Sequence, residues 1–81
     1  MVISEHQFYL LAERYKLSPT QRKIVHYLLS GIHEAEDLAR IFGVTPSTVQ
    51  NQFFRVFKKM HLASKTDVLY RFVSDAKSID P

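Results

Sequence analysis

Apolar residues recur along the chain at intervals of three and four, in five separate stripes. Phe8, Leu11, Ala12 and Tyr15 form the first; Ile24, Val25, Leu28 and Leu29 the second; Ala35, Leu38, Ala39 and Phe42 the third. Val49, Phe53, Val56, Phe57 and Met60 form the fourth, and Val68, Leu69, Phe72 and Val73 the fifth. This spacing puts each set on one side of an α-helix and lets that side be buried. No stretch alternates for long enough to make a half-buried strand.

The ends of the stripes carry start and stop signals. Ser4 is followed three residues later by Gln7, Ser18 by Pro19 and Gln21, Thr45 by Pro46, and Ser64 by Asp67 three residues on. A hydroxyl at the cap accepts from an orphan amide of the first turn, and a side chain three residues along reaches back to the cap's own N–H. Proline suits the first helical position, where its missing N–H has no intrahelical partner in any case. The two glycines, Gly31 and Gly43, fall just past the second and third stripes, where a left-handed cap residue is wanted. The pattern therefore predicts helices over residues 4–15, 19–30, 34–42, 46–60 and 65–74. The closing segment "DAKSIDP", residues 75–81, is expected to fray.

An all-α bundle in a single domain follows, with a core small enough that close helix packing or dimerisation must support it. Apolar residues make up 46% of the chain, which argues against global disorder. With no cysteine there is neither a disulfide framework nor a thiolate metal site. No secretion signal or membrane-length apolar run is present, so a cytoplasmic, nucleoid-associated protein is expected, either a small stand-alone regulator or an output domain of a longer one. The net charge of +3 is unremarkable, but its placement is not. Between Leu38 and Arg71 lie six basic residues (Arg40, Arg55, Lys58, Lys59, Lys65 and Arg71) against one acid, Asp67, while Glu34, Glu36 and Asp37 cluster just before. A basic half of this kind is the electrostatic footprint of a nucleic-acid binder.

Gly43, Val44 and Thr45 form a three-residue link between the third and fourth stripes, the connection of a helix-turn-helix, with Val44 expected to tuck into the angle between the helices. At about 100° per residue, Val49, Phe53, Val56 and Met60 face the core, and Ser47, Asn51, Phe54 and Lys58 face away. Gln50 and Arg55 flank the outward side, while Gln52 falls at the edge of the buried one. Gln50 and Asn51 are therefore candidates for bidentate pairing with the N6/N7 edge of adenine, and Phe54 for contact with a thymine methyl. Phe54 has an alternative, packing against another subunit or the first helix. Thr45, Ser47, Thr48, Arg55, Lys58 and Lys59 are candidate phosphate contacts. The expected target is an A·T-leaning half-site in double-stranded DNA.

"LSPTQRKIV", then Gly31, then "LARIFGVTPSTVQNQFFRVFKKMHLASKTDVL" make the chain from Leu17 to Val73 resemble the LuxR-type (GerE-like) helix-turn-helix domain, a DNA-binding output module of bacterial transcriptional regulators. The resemblance lies in the leucine–alanine pair, the Gly-Val turn, the Thr-Val pair, Asn51, the Lys59-Met60 end and the Ser-basic-Thr-acid start of the last helix. It implies base contacts from Gln50, Asn51 and Phe54. It also implies a homodimer through the last helix, where Val68, Leu69 and Phe72 are candidate interface residues, set on an inverted repeat. The chain departs from the family pattern in Gln21 and Lys23, where glutamates are usual, and in Gln50 and Gln52, where a basic residue and a histidine are usual. "IHEAED" is one residue longer than the common spacing.

The resulting organisation is an N-terminal helix over 1–16, a cap on the core, a linker, or a docking element for a regulatory protein partner; a LuxR-type helix-turn-helix domain over 17–74; and the tail over 75–81. Two other readings remain: a sigma-factor region-four-like promoter reader, and a helix-turn-helix used as a protein-interaction module. His6, His26, His33 and His61 show no ligand spacing, and neither a phosphate loop nor a nucleophile elbow is present, so no enzyme, metal or cofactor is expected.

Overall fold

The computed structural model describes residues 3–79. It contains α1 (Glu5–Arg14), α2 (Pro19–Leu29), α3 (Ala35–Phe42), α4 (Pro46–Met60) and α5 (Lys65–Ala76), with no strand among the described residues. Four of the five helix starts are the ones the capping residues predict; α3 begins after Glu34, whose side chain makes no cap bond. Ser4 and Gln7 close a reciprocal capping box, with Gln7 N–H donating to Ser4 Oγ at 3.1 Å and Ser4 N–H to Gln7 Oε1 at 2.9 Å. Ser18 and Gln21 repeat it at 3.2 and 2.9 Å, with Pro19 opening the helix. Thr45 and Ser64 each accept from the backbone N–H three residues on.

Two of the four left-handed corners are the expected glycines, Gly31 at φ 97° and Gly43 at φ 69°. The other two are Lys16 (φ 57°) and His61 (φ 58°), which end α1 and α4 without a glycine. Each is held by a bond from the residue that follows: Leu17 N–H to Ala12 O at 3.0 Å, and Leu62 N–H to Phe57 O at 2.9 Å. Leu17 is buried and Leu62 half-buried. Burying an apolar residue just past the corner is the usual companion of this cap, and it offsets the strain of a side chain at positive φ.

The five stripes meet in one core. Leu11, Ile24, Val25, Leu38, Val49, Val56, Met60, Val68 and Phe72 are its largest fully buried side chains. α4 lies at the centre, packed on α2, α3 and α5, while α1 packs on α5. Phe8 meets Phe72 edge-on, ring centroids 5.8 Å apart.

Two expectations are corrected. Val44 does not tuck into the corner: it is 43% exposed. The left-handed turn at Gly43 and the Val44 N–H bond to Ala39 O at 3.0 Å close the corner with backbone alone, which leaves the side chain at the surface. Nor does the tail fray from residue 75. α5 continues to Ala76, which is buried, and Gln7 Nε2 donates to Ala76 O at 3.0 Å and Ile79 O at 3.3 Å, tying residues 76–79 to the start of α1. Asp80 and Pro81 lie outside the described residues.

Candidate nucleic-acid interface

α4 is set by what its inner face buries. Val49, Phe53, Val56 and Met60 are buried along its length, so its rotation about its own axis is fixed by apolar packing on three sides. Gln50, Asn51, Phe54, Arg55 and Lys58 are consequently exposed. Asn51, Phe54, Arg55 and Lys58 line one shallow hollow on this outer face.

Phe54 is 61% exposed. Its ring meets only the edge of Phe57, at 6.1 Å between centroids, among the described aromatic residues, and makes no aromatic contact with α1. A phenyl ring exposed on a polar face gains burial when a DNA groove or another chain covers it. Arg55 and Lys58, which share the hollow with it, have neither an ion pair nor a hydrogen bond among the described residues, so their charge is free for an anion.

The start of α4 adds to this. Its first turn carries no acidic residue, and its positive dipole end is opened by Pro46 and capped by Thr45. Thr45 Oγ1 accepts from Thr48 N–H at 3.3 Å and lies 3.0 Å from Thr48 Oγ1, so both hydroxyls stand at the helix mouth beside exposed Ser47. Hydroxyls and free amides at a helix N-terminus form a phosphate-binding arrangement.

Other predicted residues stand elsewhere. Lys59 is turned towards α2: its ammonium donates to Gln21 Oε1 at 2.7 Å and to Lys16 O at 2.9 Å. It is a structural strut and is withdrawn from the phosphate set. Gln52 also serves the interior, its Oε1 accepting from Gln21 Nε2 at 3.2 Å. Val68 and Phe72, expected at a subunit interface, are fully buried within the single chain, because α1 and α5 together close the far side of the core. Leu69 is half-buried against that core, and the exposed large apolar residue of α5 is Tyr70, 72% exposed.

Two residues that the sequence did not single out also stand at the corner. Thr20 and Lys23 of α2 line a hollow at the α3–α4 corner together with Val44, Thr48 and Gln52. The one available signal was Lys23 standing where an acid was expected. Along the other side of the corner, Lys65 of α5 closes the turn before α3. Its ammonium donates to His33 O at 2.6 Å and lies 4.7 Å from the centre of the Phe53 ring.

No helix among the described residues is long and apolar enough to cross a membrane. Comparison with known proteins matches residues 18–65, the span from the α2 cap to the first residue of α5, to the family described as bacterial regulatory protein, arsR family. No curated protein and no solved structure matches the chain. The match supports the helix-turn-helix but not its assignment to the LuxR type that the motif blocks resemble. With more than half of its length covered, the chain belongs to the arsR family of bacterial regulatory proteins, helix-turn-helix DNA-binding regulators of transcription.

Proposed function

We propose that the chain binds double-stranded DNA as a homodimer, with α4 in the major groove of each half-site of an inverted repeat. Gln50 and Asn51 read adenine edges, and Phe54 covers a thymine methyl, so the half-site leans to A·T. Thr45, Ser47, Thr48, Arg55 and Lys58 hold the backbone and supply affinity with little sequence information. The observation that carries this reading is Phe54, 61% exposed in one hollow with Asn51 and two unpaired cations, Arg55 and Lys58, on the outer face of α4.

The dimer reading keeps α5 but changes its residues. α5 follows α4 directly through residues 61–64, without a strand, in keeping with the LuxR-type resemblance, whose last helix pairs subunits. The outer face of α5 offers Tyr70 with half-buried Leu69 and Val73 beside it, an apolar strip on which a two-fold partner could pack.

Selection of bound sequences from a random duplex pool tests the whole reading. Enrichment of an inverted repeat with A·T-rich half-sites is expected, with binding that falls steeply as salt rises. Absence of any duplex binding at low salt refutes it.

A further inference from the structure

α1 packs on α5, and α2 on α4 and α5; between α1 and α2 an open cleft of about 320 Å³ remains. Its floor is apolar, made by Phe8 and Ala12, both buried. One wall is the ring of Tyr9, 57% exposed. The His26 imidazole lies nearly parallel to the Phe8 ring, 5.9 Å between centroids and 21° between planes. Flat walls over an apolar floor favour a flat apolar guest.

The rim is basic. Arg22 is held in place and largely neutralised: it pairs with Glu13 at 2.5 Å, donates from Nε to Leu17 O at 3.0 Å, and lies 5.8 Å from the centre of the Tyr9 ring. Lys23, beside it, has neither a hydrogen bond nor an ion pair among the described residues. Glu5, the one acid lining the cleft, sits in the first turn of α1, where the helix dipole already favours its charge. The cleft thus combines an apolar floor with an unused cation at its edge. Its volume lies at the low end of small-molecule sites, about 300–1,000 Å³, room for one ring system but not for the several anchors of a docked helix.

We propose that this cleft binds a small aromatic carboxylate, its ring over Phe8 and Ala12 against Tyr9, its carboxylate on Lys23. Lys23 also lines the hollow at the α3–α4 corner, so a bound anion sits one side chain away from the helix-turn-helix.

Phenylacetate and its uncharged analogue 2-phenylethanol, titrated into the ¹⁵N-labelled chain without DNA, form the test. Saturable shifts at the amides of Phe8, Tyr9, Ala12 and Lys23 are expected with phenylacetate, weakened about fivefold by Lys23→Gln and about as much for 2-phenylethanol, the worth of one exposed ion pair. Tyr9→Ala, a surface change, should also weaken phenylacetate. Absence of saturable shifts overturns the proposal, as does equal binding of both compounds or indifference to Lys23→Gln. The measurement involves no DNA, so its failure and that of the DNA-binding reading are separate results.

Discussion

The Lys59 ammonium, near the end of α4, donates to Gln21 Oε1 at 2.7 Å, at the start of α2. Gln21 is the one buried polar side chain among the described residues, and no polar atom of its amide is left unpaired. Its Oε1 accepts from Ser18 N–H and Lys59, and its Nε2 donates to Gln52. One amide therefore closes the cap of α2 and holds α4 at two places a turn or more apart. A fully satisfied polar group of this kind fixes a single arrangement of the helices that meet at it.

Lys58 and Lys59 are neighbours in sequence, but Lys59 is bonded to Gln21 and Lys16 while Lys58 is unpaired among the described residues, so under the proposed reading salt dependence separates them. Lys59→Met should cost about 1 kcal/mol of stability in urea denaturation and leave the slope of log affinity against log salt unchanged. Lys58→Met should leave stability unchanged and reduce that slope by about one. Gln21→Ala, which strands three partners, should cost about 2 kcal/mol. Equal salt slopes for the two lysine variants would return Lys59 to the phosphate set.

What was legible in the sequence was local. Ser4 with Gln7 and Ser18 with Gln21 specify helix starts through contacts three residues apart, and Thr45 before Pro46 through a cap and a proline start; the structure forms each of them. The stripes specify which side of each helix is buried, but not how much of that side one chain can bury. Val68 and Phe72 read as surplus apolar surface; in the fold they fill the core because α1, which supplies Phe8 and Leu11 and is followed by Tyr15, folds back onto α5. Lys59 shows the same limit for charge. Its basicity is in the sequence, but its direction depends on Gln21, 38 residues away. The corners at Lys16 and His61 were illegible because the left-handed turn there is secured by burying the following leucine rather than by glycine.

Phe54 should matter to DNA and not to the fold. At 61% exposed, its replacement by alanine should change stability by no more than about 0.5 kcal/mol. Replacing deoxythymidine by deoxyuridine in the selected half-site removes only the 5-methyl group. Wild-type affinity should fall with that replacement, and Phe54→Ala affinity should not. If both proteins lose equally, the methyl group is read by another residue.

Tyr70 and Phe72 lie two positions apart on α5 and separate assembly from folding. Tyr70→Glu should leave the monomer folded, because the side chain is 72% exposed, yet abolish dimerisation in sedimentation velocity and weaken binding to the inverted repeat. Phe72→Ala should cost about 3 kcal/mol or more by opening a cavity in the core. Persistence of the dimer in Tyr70→Glu would move the interface away from this face.

Tyr15 joins α1 to α5 from the other side. Its ring tilts against Phe72, 5.9 Å between centroids, and its hydroxyl donates to Asp75 Oδ2. Burial first, and then the bond to Asp75, push the phenol above its usual 10.0, against the opposing pull of Arg71. The folded state therefore holds the proton more tightly than the unfolded one. The stability this contributes is fully present below pH 10.0 and is lost as pH rises through the higher folded value. Tyr15→Phe removes the hydroxyl and should cost about 1 kcal/mol at neutral pH. Denaturation of both proteins at stepwise increasing pH should show the wild-type advantage shrinking once the alkaline range above 10.0 is entered. Curves that stay parallel there would mean that the Tyr15–Asp75 bond does not hold the proton and that the clasp between α1 and α5 rests on Phe72 and Gln7 alone.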